Sequence, residues 1–226
     1  MDAAPAPEPA GVEPEGRAIA LFGATGRTGA WIGLRALRRG YRVRALRRPS
    51  SMDPLEGKPV EMLEGDVQNP DHAGRVIEGT SAVLVALGQR PPFSDVFCEA
   101  ATAAILDAMR RHGVRRIITV TGAMLGVMDQ GQSRLMRSVA GWFAAQQPAA
   151  AGDRAGQERV LMESDREWTI VKPCRLTGGP IRPRTKSGTH MRIGMLSRIS
   201  RPNLAMFVLD QIDSTQYVRE RVLVKA

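Results

Sequence analysis

The chain has 226 residues, of which 43% are hydrophobic and 24% charged, a length and apolar content that suit one globular domain with a sizeable core. Its formal net charge of +9 would draw an anionic ligand, but aromatic residues make up only 4%, so base-stacking platforms are scarce and nucleic acid is not the expected partner. No apolar run approaches the roughly 20 residues of a membrane span, and three scattered histidines with two cysteines lacking ligand-like spacing point to no metal site and to free thiols in a reducing cytoplasm.

The opening residues 1–16, MDAAPAPEPAGVEPEG, are acidic and Pro/Ala-rich. They lack the basic and apolar regions of a signal peptide and read as a disordered leader. Beyond them, short apolar runs alternate with amphipathic ones. AIALF (18–22) reads as a buried strand that ends at a glycine. TGAWIGLRALRRG follows as a helix, with Trp31, Leu34 and Leu37 at helical spacing and Gly40 as its stop. YRVRAL (41–46) and VEMLEG (60–65) read as strands, and Asn69 with Pro70 forms a helix start. SAVLVAL (81–87) is apolar throughout, as a central parallel strand should be.

SDVFCEAATAAILDAMRRHG (94–113) has the strongest helical pattern, with Ser94 expected as its cap and Gly113 as its end. RRIITVTG (115–122) reads as a strand and 133–147 as a helix. The Ala/Gly/Pro-rich stretch 148–156 is expected to be mobile, before a helix over QERVLMES (157–164) and a strand over WTIVKP (168–173). HMRIGML (190–196) fits a strand, SRPNLAMFVLDQID (200–213) a helix capped by Ser200, and RVLVKA a last strand. Residues 17–226 are therefore expected to form one α/β domain. Its sheet would be doubly wound, mostly parallel and Rossmann-like, with a small C-terminal substrate-side region.

The first strand-to-helix turn carries G-x-x-G-x-x-G: Gly23, Gly26 and Gly29, with Thr25, Arg27 and Thr28 between them. Gly23 would allow the sharp turn, Gly26 a close backbone approach to a pyrophosphate, and Gly29 tight helix–sheet packing. The free N–H groups and dipole of the helix would face the anion. An NAD site places an acidic residue at the end of the second strand; here Arg47 and Arg48 stand there. Arginines at that position suit a 2′-phosphate, which Arg27 could also reach, so the expected cofactor is NADP(H). The alternative is that these arginines are solvated.

FGATGRTG, EGDVQNP, VLVALGQR, VRRIITVTGA, QERVLMESDREWTIVKPCRLTGG and ISRPNLAMFVLDQI together resemble the atypical short-chain dehydrogenase/reductase superfamily over about residues 18–225. The resemblance is closest to its NAD(P)H-binding group, which includes biliverdin reductase B, a flavin reductase, and the nitrogen-metabolite-repression regulator-like sensors. It implies that Asp66 and Val67 lie beside the adenine, and that Leu87, Gly88 and Gln89 run past the cofactor. Thr121 and Gly122 would sit near the nicotinamide, with Lys172 and Pro173 bordering its substrate end.

The usual Tyr-x-x-x-Lys pair of the superfamily is missing. Tyr41 is followed four residues later by Ala45, and Tyr217 by Arg221. The reductases of the subgroup also tend to carry a serine where this chain has Gly122 and a histidine where it has Glu158. Thr121, to orient nicotinamide or substrate, and Glu158, as an acid raised by burial, remain the catalytic candidates. The plainer role for Glu158 is a helix-surface charge. Residues 124–150, with Met124, Leu125, Met128, Leu135, Met136, Trp142 and Phe143, and the basic segment 174–198 could form an acceptor pocket, or core and a solvated hairpin.

The expected function is an NADPH-dependent oxidoreductase that passes hydride to a small planar or conjugated acceptor such as a flavin, quinone or bilin. The alternative is a non-catalytic NADP(H)-binding sensor or scaffold. A small-molecule acceptor is the expected partner; nothing points to a membrane, and the sequence leaves the oligomeric state open.

Overall fold

A computed structural model describes residues 16–89, 93–124, 126, 133–194 and 196–226. Most of the expected leader thus lies outside the described residues. The elements in chain order are β1 (Ala18–Phe22), α1 (Arg27–Arg38), β2 (Arg42–Arg47), β3 (Val60–Glu64), α2 (Pro70–Ile77) and β4 (Ala82–Val85). They continue with α3 (Cys98–Arg111), β5 (Arg116–Val120), α4 (Arg134–Gln146), α5 (Pro148–Glu163), β6 (Glu167–Pro173) and β7 (Arg175–Thr177). The chain closes with β8 (Lys186–Gly188), β9 (Arg198–Ser200), α6 (Arg201–Asp210) and β10 (Glu220–Lys225).

The main sheet runs β3-β2-β1-β4-β5-β6-β10-β8. Its pairings are parallel except for β8 on β10. From β1 the chain moves outward through β2 to β3, then crosses back to β4 and builds the other half. The order reverses between β1 and β4, where an open parallel sheet leaves a crevice beyond its carboxyl ends. Their register puts Phe22 opposite Val85, so Gly23 and Ala86 meet at that point.

Strand residues alternate between two apolar cores. Ile19, Leu21 and Leu84 face the layer holding α1 and α6. Ala20, Phe22, Val83 and Val85 face the layer of α2, α3 and α5. Both faces are buried, which is why these strands are apolar without interruption. Each fully enclosed Leu or Ile contributes roughly 1.5–3 kcal/mol. A small third cluster joins Ala123, Met136, Cys174, Ile193 and Leu223.

Two caps stand where the local pattern puts them. The Asn69 side chain accepts from the Asp71 N–H ahead of Pro70, and Ser200 accepts from the Asn203 N–H. Three local expectations are overturned. The long helix starts at Cys98, not after Ser94. Its first N–H groups, those of Phe97, Cys98 and Glu99, donate to the carboxylate of Asp153 at 3.2, 3.0 and 2.9 Å. The cap comes from another helix, so no local pattern could place it.

The stretch 148–156 is not a mobile loop but the first half of α5, with Pro148 in its first turn. There Gly156 faces the Glu99 carboxylate so closely that a Cβ would overlap it, a contact that lets α5 lie against α3. Finally, HMRIGML forms no strand: Ile193 makes a single bridge. The short strands fall instead on Lys186–Gly188 and Arg198–Ser200.

Candidate functional site

A cleft of about 650 Å³ opens at the switch point. Its floor is the β1–α1 loop, where Gly23, Thr25, Gly26, Arg27 and Thr28 line it. Gly23 has a φ of +88°, and a Cβ on it would come within 2.5 Å of the Ala86 carbonyl oxygen. Glycine is required there by both backbone conformation and space. Gly29 does not line the cleft; a Cβ on it would overlap the Gly23 carbonyl, so its role is to seat α1 against the loop. The Gly26 N–H donates to the Gly23 carbonyl at 3.0 Å. Helix α1 begins with neither a side-chain cap nor an acid in its first turn, which leaves its positive end open to an anion.

The ends of β2, β3 and β4 form the walls. Arg47 pairs with Glu64 on the neighbouring strand and donates to the Ser51 carbonyl at 3.3 Å. Arg48 keeps 64% of its side chain exposed, with Asp95 at 3.7 Å and the Phe97 ring centroid 6.0 Å from its guanidinium. Both arginines line the cleft, as do Asp66 and Val67. The Asp66 carboxylate accepts from the Gln68 N–H at 3.0 Å and shapes that turn. Leu87 and Gly88 also line the cleft. Gln89 does not; its amide donates to Asp153 at 2.6 Å.

Two residues that the sequence reading passed over hold this rim. Asp153 ties Gln89 to the start of α3. Arg154, buried beside it, donates to the Leu87 carbonyl at 3.2 Å and to the Gln157 side chain. Their one signal was an Asp-Arg pair inside an otherwise Ala/Gly-rich run. Arg201, the first residue of α6, is a further lining cation the sequence reading did not single out.

Thr121, Gly122, Lys172 and Pro173 lie at the ends of β5 and β6, outside the lining of this cleft. Glu158 is not a surface charge. It is fully enclosed, because α5 turns it inward onto the equally enclosed Lys172. The Lys172 Nζ donates to both carboxylate oxygens at 2.8 and 3.0 Å, and the Thr121 hydroxyl donates to one of them at 2.8 Å. Gly126, with a φ of +79°, sits against the carboxylate where a Cβ would overlap it. The three side chains make one continuous hydrogen-bonded unit beside the sheet.

The two tyrosines are buried outside the cleft lining. Tyr41 precedes β2 and Tyr217 precedes β10, with the Tyr217 hydroxyl 3.1 Å from the Ser187 hydroxyl of β8. The thiols offer no nucleophile at neutral pH: burial pushes Cys98 up to about 12 and Cys174 up to about 11.

The segment expected to line an acceptor pocket is divided. Met136 is core, with Met124 packed against it. Leu135 and Trp142 are exposed on α4. Phe143 meets Phe93 edge to face at 5.6 Å. Leu125 and Met128 lie outside the described residues. The basic segment contributes β8, which pairs with β10 at the sheet edge.

The NAD(P)H-binding family matches residues 23–215. The chain belongs to this family. An uncharacterized chloroplastic protein of Arabidopsis thaliana is 28% identical over 172 residues, which cover 72% of this chain. The match spans only 60% of that relative's own length. Among solved structures, a short-chain dehydrogenase/reductase of Veillonella parvula in complex with NADP aligns with a TM-score of 0.74. It is 19% identical, over 93% of this chain and 94% of that one. The anaerobilin reductase ChuY of Escherichia coli O157:H7 aligns with a TM-score of 0.73 and 17% identity, over 92% and 96%. At these identities the two structures share the fold. Among the described residues no helix is long and apolar enough to cross a membrane.

Proposed function

We propose that the protein is an NADPH-dependent reductase that transfers hydride to a small planar or conjugated acceptor of the flavin, quinone or bilin kind. The observation that carries the reading is the cleft itself. Its glycine floor admits a pyrophosphate backbone-close, and Arg47 and Arg48 stand at the end of β2, where an NADP site meets its 2′-phosphate. The NADP-bound Veillonella structure and the bilin-reducing ChuY share this fold and support the choice.

When bound, reduced nicotinamide supplies the hydride. The chain's residues bind and orient. Thr121 commits its hydroxyl proton to Glu158, so its oxygen is left as an acceptor, suited to a carboxamide or ribose donor. Glu158 is in turn held by Lys172, and Thr121 therefore serves as an orienting group rather than an acid. Neither tyrosine is among the residues that line the cleft, and on this reading the proton that follows hydride comes from water. A conjugated acceptor tolerates this better than a simple ketone, which needs a positioned acid. The reaction is assigned to the cytoplasm, in keeping with two free, buried thiols.

The same commitment of Thr121 favours a second reading, a sensor that binds NADP(H) without turnover. Titration with NADPH and NADH, followed by nicotinamide fluorescence, tests the cofactor. NADPH oxidation across flavins, quinones and bilins tests the enzyme. Saturable, NADPH-selective binding with steady oxidation of one acceptor is the expected outcome. Tight binding with no oxidation across the panel would install the sensor instead.

A further inference from the structure

Two cations line the cleft from neighbouring helices. Arg27 opens α1 and Arg201 opens α6, and both line the cleft. The two helices pack side by side on one face of the sheet, so their positive ends converge there. Among the described residues neither guanidinium has a carboxylate within ion-pair distance, and the Arg201 Nε is buried without a hydrogen-bond partner. Burial and the charge of Arg27 both hold Arg201 below the usual arginine range. Every other arginine on this cleft has an acidic neighbour: Arg47 has Glu64 and Arg48 has Asp95. Two like charges kept together, one of them partly desolvated, are unfavourable until an anion lies between them.

We propose that Arg201 is a second pyrophosphate ligand, closing on the dinucleotide from α6 while the glycine loop and Arg27 hold it from α1. This rests on the dinucleotide reading above and adds a division of labour to it. Arg27 and Arg201 hold the diphosphate that NADPH and NADH share. Arg47 and Arg48 are left to discriminate between the two. The fork of an arginine suits phosphate oxygens, and such charge-assisted bonds are the stronger kind.

The test measures affinity for NADPH, NADH and 2′-AMP, which carries the 2′-phosphate but no pyrophosphate. Arg201→Met keeps the apolar stem and removes the charge. It is expected to weaken NADPH and NADH by the same factor, about tenfold or more, and to leave 2′-AMP unchanged. Arg201→Lys keeps the charge and should retain most of the affinity. The free Arg201→Met protein should melt no lower than wild type, since a repulsion has gone. Unchanged dinucleotide binding in Arg201→Met would overturn the proposal, as would a loss confined to NADPH, or a lower melting temperature with parallel loss of 2′-AMP. Failure of the wild-type protein to bind either dinucleotide would instead remove the dinucleotide reading itself.

Discussion

The two ends of the candidate site are built in opposite ways. The phosphate end is open and locally encoded. Its floor falls within the six positions Gly23 to Thr28, and its cations have exposed or partly exposed side chains. The Thr121 end is sealed and assembled from three separate elements: the end of β5, the middle of α5 and the end of β6. Its charges are paired to each other and shut off from solvent. An anion site can stay unsatisfied until its ligand arrives, because water screens it. A buried carboxylate and ammonium cannot, because each would pay a desolvation cost of several kcal/mol alone. The first end is thus suited to selecting a ligand, and the second to holding a geometry.

The largest test of that contrast is the buried pair. Lys172→Met should destabilise the fold by about 3–5 kcal/mol, since it leaves the Glu158 carboxylate enclosed without its cation. Adding Glu158→Gln to it should recover much of the loss, because the pair's worth is mostly the avoidance of an unpaired charge. Urea unfolding of the two single variants and the double variant measures this. Equal destabilisation by Lys172→Met with and without Glu158→Gln would mean that the two charges are not coupled.

Asp153 is intermediate, for it is a structural residue that acts on the open end. Asp153→Ala removes the acceptor shared by the N–H groups of Phe97, Cys98 and Glu99 and by the Gln89 amide. The expected cost is about 2 kcal/mol, at the upper end for a helix cap. It should also loosen Leu87–Gln89 on the cleft rim. Hydrogen exchange is the direct readout: the Cys98 and Glu99 amides should exchange faster in the variant while those of β1 do not. Uniform acceleration across the sheet would show a global loss of stability instead.

These two residues also show where the sequence was legible. The glycine loop could be read because its constraints act within seven residues: a positive φ at Gly23, and a helix seated on the loop by Gly29. The caps at Asn69 and Ser200 were readable for the same reason, each accepting from an N–H two or three residues on. The alternation of apolar runs gave the doubly wound sheet. Asp153 was hidden because its N–H donors lie 54 to 56 residues away. Its neighbours Ala149, Ala150, Ala151 and Gly152 have the composition of a loop as much as of a helix packed closely on another. Glu158 could be read as an acid or as a surface charge, because nothing local marks which way its helix turns it. Only the fold of β6 behind α5 brings Lys172 to it.

The smallest effect is expected where the sequence alone suggested the most specific chemistry. Arg47 and Arg48 are adjacent, yet their settings differ. Arg47 is anchored by Glu64 and the Ser51 carbonyl, so part of its donor fork is already engaged. Among the described residues Arg48 has only Asp95 at 3.7 Å and the Phe97 face. Exposed pairs of that kind are worth little, about 0–1 kcal/mol, and are exchanged readily for a phosphate. Arg48→Ala should therefore lower affinity for NADPH about tenfold, roughly 1.4 kcal/mol, with little change for NADH and none in folding stability. Arg47→Ala should shift the ratio less, and should be accompanied by a small loss of β2–β3 stability as Glu64 loses its partner. Paired titrations of both variants with NADPH and NADH decide the order. If Arg47→Ala proved the more selective of the two, the phosphate would be reaching past the freer guanidinium to one held by Glu64, and the selecting end of the site would be preorganised in the same manner as the sealed end.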